Sequence, residues 1–421
     1  MILVLPYFLT RYLSQANYAA WVVGFQVALY VPMFGLGIHL LINRTVAHHL
    51  ARQEHEQLQA SVLGALQMLL VLFTLSLLFV WLAGPYVVAF SNAPENLRDT
   101  ILTVWYRVGI VSCIGLFSFF FFGYFGGIQR YEWENLYKVI LSSSFISAIA
   151  ILGFMQGGLT PELLSYLYGV AIALGMTVLL FGFLRQNIAL LPKHIRFHAV
   201  TLKGYFRGLY GTAVWQLAML LISGFDILIV SRVDFLSVPG YSIALSFLVF
   251  LTGSISALIS PCLPRFAAEL GQPNHGQFKA LFFIYQSRLL KIMAFSLVAL
   301  LLVPNTVWEF LLKDSAGAFV QVFSILLVAT SIRFITVLYS LALVSANLQH
   351  RVILSPLLEG CANLAFSIVL GYWFGATGVA IGTLIGALLC LGFHSLYNIP
   401  RTRASIPLNN GAIIFPWGIA K

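Results

Sequence analysis

The sequence predicts an all-α integral membrane protein of about twelve transmembrane helices, and three observations carry that prediction. Of its 421 residues 60% are hydrophobic, and only 9% are charged against roughly 25% in a soluble domain. The mean hydropathy is +0.93. The apolar residues fall in long runs separated by short polar breaks, and a run of about 20 is what a bilayer-spanning helix needs.

Eleven such runs are present, at 18–42, 61–83, 101–126, 139–155, 164–184, 211–230, 241–263, 292–308, 320–346, 353–374 and 378–396. Ahead of them stands MILVLPYFL, which at about 1.5 Å per residue spans roughly half the hydrocarbon core. It lacks the basic region and small-residue cleavage site of a signal peptide. It reads as the tail of a first helix, and an upstream initiation site is expected to supply the rest.

Lys and Arg set the orientation. Only Arg11, Arg98, Arg232 and Lys313 fall on one side, Arg107 and Arg333 lie within spans, and the other 17 of the 23 share the opposite side. That side is therefore cytoplasmic, and the chain is expected to be a multi-pass protein of the cell inner membrane. The net charge of +10 is mostly this topology signal plus attraction to anionic headgroups, which leaves no case for a nucleic-acid partner.

Motifs of enzyme chemistry are missing from the sequence. It has no Gly-rich phosphate loop, H-E-x-x-H, G-x-S-x-G or zinc spacing. Cys113, Cys262, Cys361 and Cys390 all fall inside predicted spans and read as small apolar filler. His48, His49 and His55 cluster in sequence beside Glu54, Glu56, Arg44 and Arg52, a composition that favours a solvated or headgroup-facing segment over a metal site. No metal and no cofactor is expected.

An internal duplication organises the spans. The end of the second, GIHLLINRTVAHHLARQ at 37–53, parallels the end of the eighth, ISALISPCLPRFAAELGQ at 255–272, with Arg44 and Arg265 closing the two spans. Upstream, RYLSQANY at 11–18 parallels RVDFLSVPGY at 232–241. Similar ends six helices apart predict two six-helix halves of the same orientation. The predicted organisation is an N-terminal lobe at 1–184, a basic cytoplasmic connector at 185–210, a C-terminal lobe at 211–400 and a cytoplasmic tail at 401–421.

Four charges lie inside spans: Arg107, Asp226, Arg333 and Glu359. Each costs roughly 2.5–3.5 kcal/mol at mid-helix even on the gentler insertion scales, so such residues face a bundle interior or a water-filled space. Helical spacing groups them with other polar residues. In the seventh span Thr212, Gln216, Met219, Ser223 and Asp226 form one stripe, as do Thr330, Arg333, Thr336, Ser340 and Asn347 in the tenth. Ser355, Glu359, Asn363 and Ser367 form another in the eleventh, and Ser242, Ser246, Gly253, Ser256 and Ser260 in the eighth. The single Ser and Thr residues fit plain helix–helix hydrogen bonding. Arg333 lies too deep to snorkel, which favours a cavity there. Arg107, nearer the extracytoplasmic face, suits a snorkelling or structural role as well as a place in the cavity, and Asp226 could pair with Arg232 or with an Arg of another helix.

YAAWVVGFQVALYVPMFGLGIHLLINRTVAHH, FDILIVSRVDFLSVPGYSIA and GATGVAIGTLIG resemble the polysaccharide-transporter branch of the multidrug/oligosaccharidyl-lipid/polysaccharide exporter superfamily, home of the O-antigen repeat-unit flippases. The resemblance runs over nearly the whole chain. It implies two six-helix lobes around a central cavity that opens alternately to either side, and movement of an undecaprenyl-diphosphate-linked oligosaccharide to the outer leaflet. The expected site is a substrate path bearing Arg333, Arg107, Asp226, Glu359, Gln216 and Asn363, with Arg44 and Arg265 at its cytoplasmic entrance. Membrane lipids are expected partners, and the resemblance leaves room for a polysaccharide polymerase partner and for Na+ or H+ coupling at Asp226. Three alternatives remain: a cation-coupled multidrug antiporter of the same superfamily, a multi-spanning polymerase or ligase, and a structural scaffold. The antiporter fits poorly with two deep arginines. The polymerase would need a large extracytoplasmic loop, whereas the longest such break is about 16 residues, at 85–100.

Overall fold

The computed structural model describes residues 4–187, 205, 209, 213–214, 216–259, 261–270, 276–346, 348–406 and 408. Ten of its helices are long and apolar enough to cross a membrane. The last of them, Leu354–Thr402, contains two of the predicted spans, and with the short N-terminal helix the described residues supply twelve segments in all. The protein is an all-α, multi-pass membrane protein. Its chain divides into two compact units, and the division falls inside the seventh predicted span, between Leu217 and Ala218. Most of the predicted connector and tail lies outside the described residues.

The N-terminal unit begins with α1 (Val4–Tyr12). Ser14 then caps the next helix, its hydroxyl accepting the Asn17 N–H at 3.3 Å. The second span is broken into α2 (Gln15–Phe25), α3 (Val27–Phe34) and α4 (Ile38–Ala51). Pro32 removes one ladder donor, and Leu36 and Gly37 take positive φ of 49° and 74°, so the chain unwinds before it restarts at Ile38. There follow α5 (His55–Phe90), α6 (Glu95–Gly115), α7 (Ser118–Gly127), α8 (Glu132–Gln156) and α9 (Pro161–Asn187). Because α5 continues through Pro85 to Phe90, the break to α6 shrinks to residues 91–94.

The C-terminal unit opens with a π-helical turn, Leu220–Gly224, followed by α10 (Asp226–Val233) and α11 (Val238–Ile259). Then come α12 (Cys262–Leu270), α13 (Gly276–Leu301), α14 (Asn305–Leu312), α15 (Ala316–Ser345) and α16 (Gln349–Phe393). A second π turn, His394–Asn398, leads into α17 (Ile399–Thr402). The ninth span is misplaced by the sequence reading. It runs from Gly276 to Leu301, not from Ile292 to Trp308, because Lys279, Arg288 and Lys291 sit on the helix itself and the chain breaks just ahead of Pro304. Inside α16, Gly375 takes φ 60° and ψ −143°, a conformation that separates the eleventh and twelfth spans and that suits only Gly. Beyond that corner Gly386 lies so close to the Glu359 carbonyl that an added Cβ would sit 3.0 Å from it, and Gly378 and Gly382 are closer still to the backbone of Leu370 and Ser367. Small residues every fourth position let the two halves of α16 touch through their backbones.

Cys113, Cys262 and Cys390 are buried as expected, while Cys361 is exposed.

Candidate functional site

The site is assembled where α10 meets both halves of α16. A π turn holds an extra residue per turn and leaves carbonyls out of the regular ladder. Here it releases the Ile222 carbonyl, which accepts the Asn363 side-chain amide at 2.6 Å. It also rotates the helix, so that Ser223 is exposed while Asp226 is buried. The single stripe expected through Gln216, Ser223 and Asp226 is therefore broken, and Thr212 lies outside the described residues.

Asp226 is 2% exposed. It accepts hydrogen bonds from the Tyr241 hydroxyl at 3.1 Å, the Asn363 amide at 3.3 Å and, weakly, the Thr383 hydroxyl at 3.5 Å. Ser367 fixes the amide's orientation by donating to Asn363 Oδ1 at 3.0 Å, and it also reaches the Val379 carbonyl at 3.1 Å. The result is one buried carboxylate ringed by two hydroxyls and an amide N–H. As placed, all three neighbours donate to the carboxylate, so a proton can join it directly, while a hard monovalent cation would need the two hydroxyls to turn their lone pairs inward.

The second element is an ion pair. Arg333, on α15, donates from Nε to Glu359 on α16. The Glu359 side chain is 6% exposed and the Arg333 side chain 28%. Arg333 Nη2 is buried with no hydrogen-bond partner among the described residues. Thus Ser355, Glu359, Asn363 and Ser367 are all buried on one face, as the spacing predicts, and Thr330 and Thr336 are buried beside Arg333. The eighth-span stripe is different: Gly253 and Ser256 are exposed, and Ser260 lies outside the described residues. So does Asn347.

The remaining predicted residues do not join this cluster. Arg107 belongs to the N-terminal unit, where its guanidinium lies over the Tyr166 ring at 4.2 Å and its Nη1 is buried without a hydrogen-bond partner among the described residues. Gln216 is half-buried just ahead of the π turn, and Arg44 and Arg265 are exposed, the latter bonded to the Tyr285 hydroxyl at 2.5 Å. The sequence reading missed Thr383 and the role of Tyr241, neither of which falls on a predicted polar stripe. It also missed a buried group near the end of α16, in which Tyr339 meets the Thr402 hydroxyl at 2.7 Å and Asn398 meets His394 at 3.1 Å.

No protein-family model matches the chain, and no curated protein matches it. Solved structures share its fold. A multidrug resistance MATE family transporter of the MOP superfamily, in an inward-facing conformation, superposes with a TM-score of 0.82 at 14% identity, covering 96% of this chain and 94% of that one. The lipid II flippase MurJ, in an inward closed conformation, gives 0.71 at 15% identity over 92% of this chain and 83% of that one. A MOP superfamily transporter from Pyrococcus furiosus, described as having a binding pocket of reversed polarity, gives 0.53 at 14% identity over 96% and 95%. The fold is that of MOP superfamily transporters.

Proposed function

We propose that the chain is a flippase of this fold, moving a polyprenyl-diphosphate-linked oligosaccharide across the cytoplasmic membrane by alternating access, coupled to H+ or Na+ at Asp226. The observation that carries the substrate class is the state of Arg333. One face of its guanidinium is held by Glu359 while Nη2 keeps an unused donor, an arrangement suited to charge-assisted hydrogen bonds with a diphosphate. Burying so polar a group inside a span is costly unless a ligand or water completes its bonding. The fold likeness to a lipid II flippase supports the same class of cargo.

A second reading draws on a different observation. The Asp226 pocket, with Asn363, Thr383 and Tyr241, is equally suited to an antiporter that exchanges a cation for a small molecule, in keeping with the likeness to a multidrug transporter.

Arg333→Ala separates the two when read against Glu359→Gln. Under the flippase reading, Arg333→Ala lowers protein level because Glu359 is stranded. The double variant Arg333→Ala with Glu359→Gln regains level but exports no surface glycan, and Arg333→Lys keeps part of the export. Full export by the double variant refutes the substrate role, and cation-driven dye efflux by that same variant in proteoliposomes establishes the antiporter.

A further inference from the structure

The segment RTVAHHLARQEHE at 44–56 holds a group that the transport reading leaves unused. At its centre α4 ends in a left-handed turn. Gln53, with φ 59°, occupies the position where Gly is usual. Its N–H donates to the Leu50 carbonyl at 3.1 Å, and the Glu54 N–H donates to the His49 carbonyl at 3.0 Å. This pair of bonds reverses the chain and lays Glu54 back over the last turn of α4. Glu54 is also the residue before α5, so its side chain stands at the junction of two membrane helices.

The fold-back brings three ligand types to one point. Glu54 Oε2 lies 2.8 Å from His49 Nδ1, while Oε1 faces Arg52 at 3.9 Å. The His48 ring stands nearly perpendicular to that of His49, at 85°, with centroids 5.3 Å apart. One ligand atom from each of His48, His49 and Glu54 lies within 4.8 Å of the others. Around a four-coordinate ion with bonds of about 2.0–2.2 Å, neighbouring ligand atoms are roughly 3.5 Å apart. Rotation of the exposed His48 ring closes that difference. Two imidazoles and a carboxylate form a set that suits zinc, copper or nickel and not magnesium or calcium.

We infer that His48, His49 and Glu54 form a binding site for one divalent transition-metal ion, zinc by preference, at the turn between α4 and α5. The bound ion replaces the His49–Glu54 hydrogen bond, keeps an open position for water, and ties the last turn of α4 to the first turn of α5. The competing account is a helix end closed by the His49–Glu54 bond alone. In that account His48 has no task, so His48 decides between the two.

The test uses the full chain in detergent, purified through a tag that contains no histidine and stripped with chelator. Titration with Zn2+ by calorimetry is expected to show one ion per chain, and Co2+ is expected to give the visible absorption of a four-coordinate ion. His48→Ala should weaken zinc binding by at least about tenfold and erase the cobalt bands while leaving the metal-free melting temperature in place. His49→Ala should do the same to binding, and Mg2+ should not compete. The inference is overturned if His48→Ala binds zinc as tightly as the parent protein, or if the parent takes up no more zinc than a His48→Ala/His49→Ala double variant.

Discussion

The two units are built from helices of similar length and hydropathy, yet they hold together by different physics. In the N-terminal unit the buried polar residues are Gln26 and a few serines, with no buried carboxylate among the described residues. Its interior is aromatic: Phe120, Tyr124 and Phe183 meet edge to face or stacked, with centroids 5.0–6.2 Å apart. The C-terminal unit buries Asp226, Gln286, Glu359, Asn363, His394 and Asn398. The second unit has an aromatic core of its own, around Phe266, Phe278 and Phe282, and adds to it a buried hydrogen-bond network that the first lacks among the described residues. In lipid that network is the expensive part, since each unpaired polar group costs several kcal/mol. Removing the C-terminal unit's hydrogen bonds should therefore hurt more than disturbing the packing of the other unit.

The largest expected effect follows from Asp226. Asp226→Leu strands the Tyr241 hydroxyl and half of the Asn363 amide, at about 1–3 kcal/mol for each unmet donor. A marked drop in the detergent melting temperature and loss of transport are expected. Asp226→Asn keeps an acceptor, so it should retain near-normal protein level while transport stops responding to an ion gradient. A leucine variant as stable as the parent protein would break the contrast between the units.

The next effect is smaller and belongs to the N-terminal unit. An added Cβ at Gly127 would lie 2.7 Å from the Val46 side chain and 2.9 Å from the Asn43 carbonyl. Gly127→Ala should therefore push α4 and α7 apart and cost roughly 1–3 kcal/mol. Gly392, in the C-terminal unit, meets nothing within 4 Å, and Gly392→Ala should be neutral or gain up to about 1 kcal/mol from helix propensity. Thermal unfolding of the two variants side by side checks the comparison, and equal melting temperatures would show that close backbone packing is not what holds the first unit.

Which parts of this were legible in the sequence depends on whether a periodic signal existed. Ser355, Glu359, Asn363 and Ser367 repeat every four residues, and all four are buried on one helix face. Arg333 stood out by its depth, while its pairing with Glu359 on another helix comes from the tertiary fold. Asp226 was singled out but given the wrong surroundings, because a π turn leaves no mark on an apolar sequence and shifts every later residue around the helix. Its partners Tyr241 and Thr383 are 15 and 157 residues away, neither on a predicted stripe, and only the tertiary fold brings them in. The ninth span went astray for the opposite reason. Three basic residues look like a loop, yet Lys279, Arg288 and Lys291 all lie on α13 and are carried by the helix itself.

The smallest expected effect concerns Arg107, the one membrane-embedded charge of the N-terminal unit among the described residues. Its guanidinium sits 4.2 Å above the Tyr166 ring, and Tyr166 is itself 58% exposed. A cation held by an aromatic face at such a site gains about 0.5–2 kcal/mol. Tyr166→Phe keeps the face and should leave melting unchanged. Tyr166→Leu removes it and should cost a degree or a few degrees, which thermal unfolding in detergent resolves. Arg107→Gln should cost about as much as Tyr166→Leu, and the double variant no more than either alone, because both changes delete one contact. If the two costs add in full, the ring and the guanidinium do not support each other. If, with coupling intact, Arg107→Gln also stops transport while Tyr166→Leu does not, the unused Nη1 donor serves the cargo, and the N-terminal unit shares the chemistry that the buried hydrogen bonds assign to its neighbour.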